Sequence, residues 1–311
     1  MLKLKILLVS AVLAAVAIAS NNNECVSNIY FNGRAYNYDV VKNIDGNKRF
    51  NELSFVGTHH SASYVIDDPL QKTQDWTIPE QLEAGVRVFH FKVQSDYNDL
   101  SIYLQDRKLS LKFNANILPM INEFLDAHPE ESVIVYFNEE GGNSAVNGSN
   151  CDAMDKIKNS TSGHRVNTKW TLDDLVRDYR GEILIAADKS FKSCSNMLEN
   201  QCMKDGYTPA NNVDDVIYKW KAILELQELI YLRKHDCYIY ELYLPNDLQS
   251  NLRLISADGG YKTSDGMCAE PLNTLMILES IQGSEDSPFG LIIVMTDFVN
   301  QKLINVVQNN N

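Results

Sequence analysis

Short apolar, β-branched runs alternate with amphipathic helical stretches from residue 53 to residue 307, and this alternation limits what the chain can fold into. Runs rich in Val, Ile, Leu and Phe recur at 53–57, 86–93, 132–137, 182–186, 238–244 and 291–295. Runs of this kind suit strands of a parallel sheet, buried on both faces by covering helices. Helical signals fall between them. Thr77-Ile-Pro-Glu80 follows the capping-box pattern, with Gly85 placed to close the short helix behind it. Asn116 is placed to cap a helix carrying Leu118, Ile121, Phe124 and Leu125 on one face and stopping near His128-Pro129. Thr171-Leu-Asp-Asp174 opens another, and further helices are read over 220–234, 271–282 and 301–307. Residues 21–50 read as a cover, 141–168 as loop and 188–212 as a polar insertion. No linker rich in Gly, Ser or Pro and no internal repeat breaks the pattern. The expectation is an α/β fold built as a single TIM-type (β/α) barrel over residues 20–311.

The first nineteen residues stand apart. Lys3 and Lys5 precede an almost wholly apolar run over 6–19, and Ala17-Ile-Ala19 offers small residues at signal-peptidase spacing. That pattern predicts a signal peptide over 1–19 and a secreted, extracellular protein. The run is short for a bilayer span, no later segment is long and apolar enough to serve as one, and no lipid-anchor signal follows. Six cysteines remain: Cys25, Cys151, Cys194, Cys202, Cys237 and Cys268. An even number in an exported chain predicts disulfides, with Cys194–Cys202 the expected local pair. Asn147-Gly-Ser149 and Asn159-Ser-Thr161 are glycosylation sequons. The net charge of -13 becomes about -15 once Lys3 and Lys5 are removed. An acidic chain gains nothing from the field of a nucleic acid or an anionic bilayer, so nucleic acid is excluded as a partner.

The chemistry concentrates at strand ends. Leu53-Ser-Phe-Val-Gly-Thr-His-His60 reads as a buried strand ending in a turn and two histidines. Gly85-Val-Arg-Val-Phe-His-Phe-Lys92 reads as a second strand that places His90 and Lys92 on one face. Polar residues at the C-terminal ends of adjacent strands are how a barrel builds a site. No strand is followed by a glycine-rich phosphate loop or dinucleotide turn, and no cofactor is implied.

Four segments in order carry a resemblance. Gly57-Thr-His59 followed by Ser61, Gln81-Leu-x-Ala-Gly-x-Arg-x-Phe89, His128-Pro129 before a strand, and Val294-Met-Thr-Asp-Phe-Val299 together resemble the phosphatidylinositol-specific phospholipase C catalytic domain. The resemblance implies a PLC-like phosphodiesterase fold. It also implies a reaction in which an inositol hydroxyl attacks phosphorus, a lipid alcohol leaves and a cyclic phosphate forms. His59 takes the position of the general base, and Asp297 that of the carboxylate that orients it. Histidine suits the base because its pKa lies near working pH.

Other positions depart from the family pattern. His60 stands where the family has Asp or Asn, His90 where it has an acidic residue, and Lys92 where it has Arg or a calcium-binding Asp. The general-acid histidine is expected near Gln105 or Asp106 and is missing. Calcium loses its hard oxygen ligands, Glu139 or Glu140 alone remaining nearby. Lys92 is left to balance phosphate as a point charge, without the fork of an arginine. His90 is the residue that compensates for the acid if it reaches the leaving oxygen. A His59/His60/His90 cluster also matches a zinc ligand type, but adjacent side chains at 59 and 60 seldom point at one ion, and no metal is assigned.

His59, Asp297, His90 and Lys92 are thus the expected catalytic residues. His60, Glu139 and Glu241 are the expected substrate contacts, with Tyr240 and Tyr243 on the same strand as Glu241. Two readings remain. One is a secreted hydrolase of phosphatidylinositol-type lipids or soluble headgroup phosphodiesters. The other is a PLC-like protein that binds a phosphorylated polyol or lipid headgroup without turnover.

Overall fold

A computed structural model describes residues 34–311 apart from 69–70, 105, 141–148, 196–200, 207–213, 233–234, 245–270, 283–289 and 310. The expected signal peptide, Cys25, Gln105, Asn147 and Cys268 lie outside the described residues.

Ten strands form one sheet: β1 Ser54–Thr58, β2 Val88–Asp96, β3 Asp99–Leu104, β4 Arg107–Lys112, β5 Val133–Glu139, β6 Val166–Asn167, β7 Ile183–Ala187, β8 Cys202–Lys204, β9 Cys237–Leu242 and β10 Leu291–Thr296. The order is β6-β7-β5-β2-β1-β10-β9-β8, parallel throughout, with β3 and β4 added antiparallel beside β2. First and last long strands are therefore neighbours, with Thr58 opposite Thr296. Among the described residues no ladder joins β6 to β8, so hydrogen bonding gives a largely parallel α/β sheet and does not itself close a barrel.

The apolar runs split by alternation. Phe55, Val88, Ile134, Leu184, Ile239 and Ile293 point to one face and pack together. Val56, Phe89, Val135, Ile185, Tyr240 and Val294 point to the other and pack under the helices. Those helices are α1 Ile78–Ala84, α2 Leu118–Ala127, α3 Asn150–Lys158, α4 Asp215–Tyr231, α5 Leu272–Gln282 and α6 Gln301–Gln308. The first cluster continues into Val41, Ile44, Phe50, Trp170 and Val176, which cover the end where the strands begin. Residues just before the first strand thus form part of the expected cover. Along the same alternating positions, toward the strands' C-terminal ends, apolar residues give way to His90, Lys92, Asn138, Lys204 and Glu241. A buried apolar layer topped by a polar one is the layout of a site at the strand ends.

Several boundaries and pairings differ from expectation. The capping box at Thr77 and Glu80 is formed, and Gly85 closes α1 at φ 109°, where a Cβ would meet Gln308 Nε2 at 2.7 Å. Asn116 does not cap α2; its Oδ1 accepts the Lys112 N–H at 2.8 Å, inside a π-helical turn over Phe113–Ile117. Thr171 and Asp174 close a turn that leads only to a 3₁₀ helix, Val176–Tyr179. The expected loop at 141–168 contains α3, capped by Ser149, with exposed Asn159 just past its end. The expected Cys194–Cys202 bond is not formed: the bonds are Cys151–Cys194 and Cys202–Cys237. Sheet register decides the second, because Cys202 and Cys237 are direct partners on β8 and β9.

Candidate active site

The turn after β1 is held by buried side chains. Thr58 Oγ1 donates to Gln81 Oε1 at 2.8 Å, and Gln81 Nε2 donates to the Ser61 carbonyl at 2.9 Å. Ser61 Oγ donates to the Thr58 carbonyl at 2.8 Å and accepts the His90 N–H at 2.9 Å. Gln74 Nε2 bridges the carbonyls of His59 at 3.2 Å and Thr296 at 2.7 Å. His60 at φ 46° and Phe298 at φ 47° both adopt left-handed backbone, a conformation costing roughly 1–2 kcal/mol at a non-glycine residue. These bonds hold the two strand ends in directions an ordinary extended chain would not take.

Their product is one pair. His59 Nδ1 lies 2.8 Å from Asp297 Oδ1, and both side chains are buried. An ionised carboxylate only accepts, so Nδ1 carries the proton and Nε2 the lone pair, the tautomer a general base requires. The His59 ring stacks on Tyr243 at 3.7 Å with 3° between planes, and runs parallel to His90 at 5.3 Å. Burial, then Glu241, pushes the Tyr243 phenol well above its usual pKa, so it stays neutral.

His90 is not placed as an acid. Its Nδ1 accepts the His60 backbone N–H at 3.3 Å, which leaves Nε2 to donate to Asn138 Oδ1 at 2.8 Å. Burial first, then the charge of Lys204, lowers its pKa to about 4. A ring that is neutral at pH 7 and bonded at both nitrogens has no proton to give a leaving group. A depressed pKa means that the unfolded chain binds the proton first as pH falls. The stability His90 contributes is complete above pH 6.5 and is lost as pH drops toward about 4. Across that window the pH slope of stability should be smaller in His90→Gln than in wild type by up to about 1.4 kcal/mol per pH unit. An unchanged slope in the variant would remove His90 as its source.

Ligating atoms of His59, His60 and His90 all lie within 4.8 Å of one another. His90 would have to surrender Asn138 or the His60 backbone to bind an ion, and His59 Nδ1 already faces Asp297. Two of the three imidazoles are thus engaged in ways that compete with a metal.

The remaining expected residues divide. Lys92 reaches Glu140 Oε2 at 3.2 Å, at the rim. Burial, opposed by Lys92 and reinforced by Asp106, raises the Glu140 pKa. Glu139 is not brought to the histidines. It falls on the alternate register, is exposed, and takes a hydrogen bond from Asn150 at 3.2 Å. Glu241 does enter the polar layer, and it brings residues that sequence reasoning missed. Lys204 Nζ lies 3.1 Å from its Oε1 and Lys219 Nζ 3.8 Å from its Oε2. Lys219, buried on α4, also pairs with Asp205 at 2.5 Å, and Asp205 accepts the Glu241 N–H at 3.3 Å. Burial opposes ionisation of Glu241, but the two lysines prevail and hold its pKa below the usual value. Lys204 also sits 5.6 Å over the Tyr136 ring, and Lys219 sits 5.8 Å over that of Tyr243. The signal was the alternation Cys202-x-Lys204, masked by a polar segment.

Known proteins share both a segment of this sequence and its largely parallel sheet fold. The PI-PLC X family model (PI-PLC X 1) matches residues 46–166. A 1-phosphatidylinositol phosphodiesterase of Listeria monocytogenes is 31% identical over 94 residues, 28% of each chain. A PI-PLC X domain-containing protein 1 of Arthroderma benhamiae is 30% identical over 99 residues, 30% of this chain and 31% of that one. These matches therefore span less than a third of either relative. The fold extends further. A phosphatidylinositol-specific phospholipase C structure from L. monocytogenes superposes with TM-score 0.67 at 20% identity, over 89% of this chain and 99% of that one. One from Staphylococcus aureus gives TM-score 0.68 at 14% identity, over 87% and 96%. The match over residues 46–166 points to the PI-PLC X-domain, PLC-like phosphodiesterase superfamily, and the superposed structures share the fold.

Proposed function

We propose that the protein is an exported phosphoric diester hydrolase acting on phosphatidylinositol-type lipids or their soluble headgroup diesters, with its sheet closed as a PLC-like barrel. The observation that carries this reading is the buried His59–Asp297 pair at 2.8 Å. His59 Nε2 takes the proton of the attacking hydroxyl as its oxygen bonds to phosphorus, and Asp297 stabilises the imidazolium that results. The P–O bond to the leaving alcohol then breaks, and that oxygen must be protonated. With both His90 nitrogens bonded, a water is the donor of that proton. A lysine at 204 in the polar layer favours charge balance without calcium. The engagement of both His90 nitrogens supports the second reading, a headgroup-binding protein without turnover.

Release of water-soluble inositol phosphate from phosphatidylinositol vesicles and from the lipid-free diester tests the choice. Release unaffected by chelator is the expected result. No release above the background of protein lacking His59, with wild type folded, would sink the enzyme and leave the binding reading. Loss of release on chelation would overturn the calcium-free site.

A further inference from the structure

The phosphodiesterase reading leaves open which cation meets the phosphate. Lys92 stands at the strand position the resemblance marks for that task, but it is a rim residue paired with Glu140 at 3.2 Å. Lys204 is no more buried, 31% exposed at the side chain against 34% for Lys92, and is likewise paired with a carboxylate, but its neighbours differ. It extends from β8, is tied to Glu241 at 3.1 Å, and lies 5.6 Å over Tyr136. Tyr136 is itself 5.5 Å from His90, which runs parallel to His59 at 5.3 Å. Lys204 therefore stands among the rings that wall the His59 site, on the same inward alternation as His90 and Glu241.

We propose that Lys204, delivered by β8, is the cation that contacts the substrate phosphate, and that Lys92 is not. This deepens the reading of the protein as a phosphodiesterase and rests on it. A lysine ammonium is a point charge on a flexible stem, so it can lean from Glu241 to an anion without leaving the layer. Glu241 remains neutralised by Lys219 at its other oxygen, 3.8 Å away. The freed carboxylate oxygen would then accept a polyol hydroxyl beside the phosphate. Burial and the Lys204 charge together keep His90 neutral, which fits a cation close to that wall.

Binding of two probes, myo-inositol 1-phosphate and phosphate-free myo-inositol, tests the assignment by calorimetry on wild type, Lys204→Met, Lys204→Arg and Lys92→Met. A lost charge-assisted bond should weaken the phosphate probe about tenfold or more in Lys204→Met. Lys204→Arg and Lys92→Met should each stay within about threefold of wild type, and myo-inositol binding should not change in Lys204→Met. Full phosphate affinity in Lys204→Met, or loss in Lys92→Met instead, would overturn the assignment. So would an equal loss of both probes in Lys204→Met, which would reduce Lys204 to a counter-ion of Glu241. If Lys204→Met melts early, Lys204→Gln takes its place under the same criteria. Wild type that binds neither probe would overturn the phosphodiesterase reading itself, and this assignment with it.

Discussion

Replacing His59 with alanine is expected to lower phosphodiester turnover by roughly 10²–10⁴-fold, the usual contribution of a positioned general base. Asp297→Asn should cost a similar order for a different reason. An asparagine offers the imidazole both a donor and an acceptor, so the ring can bind it in the wrong tautomer and no longer present a lone pair to the substrate. The two losses should not add, because Asp297 acts through His59 across a single 2.8 Å contact. Single-turnover rates of both variants and the double variant check this. The acid limb of the Asp297→Asn pH profile should move to lower pH, because an asparagine does not stabilise the imidazolium, and loss of a merely structural residue would not move it. Independent, additive losses would mean that the carboxylate has a separate task.

Arg87→Met should destabilise the fold by about 3–5 kcal/mol, the range for stripping one partner from a buried ion pair. Arg87 and Glu131 are each only 1% exposed at the side chain and meet at 2.8 Å. Every part of the guanidinium is used: Nε on Glu131, Nη1 on the carbonyls of Leu82 and Val86 at 2.8 Å, and Nη2 on that of Tyr38 at 3.0 Å. Glu131 in turn accepts the N–H groups of Val41 at 3.0 Å and Lys42 at 2.9 Å. One pair thus ties α1, β2, the start of β5 and the cover together. Arg87→Lys should recover little, since one ammonium cannot reach all four acceptors. Chemical denaturation gives the number, and a loss below about 1 kcal/mol would show that the network is replaceable.

This arginine shows what the sequence made legible and what it did not. Arg87 lies within one of the segments that carry the family resemblance, but its partner Glu131 comes from a separate one and is recognisable only in the fold. The six long strands were readable because parallel strands bury both faces and so run apolar without interruption. His59 and Asp297 were readable because they end two such runs, which the sheet sets side by side. Lys204 was not, since β8 has three residues and lies in a polar stretch. Lys219 was hidden because a lysine on an amphipathic helix ordinarily reaches solvent, and this one is turned inward to Asp205. The hairpin β3–β4 was less legible although Leu100, Ile102 and Leu104 alternate into the core, because β4 is largely polar and mostly exposed.

The Cys202–Cys237 bond makes completion of the site depend on the state of two thiols. Three residues hold an edge strand weakly on hydrogen bonds alone. A bridge spanning 35 residues adds roughly 2–4 kcal/mol in favour of the ordered state. Lys204 lies two residues beyond Cys202 and gains its place opposite Ile239 in the register that bond secures. A newly made chain kept among cytoplasmic thiols would therefore hold its His59–Asp297 pair before its full set of charges. In a reducing compartment the polar layer would be the less ordered part of the pocket, and oxidation of one pair of thiols would complete it.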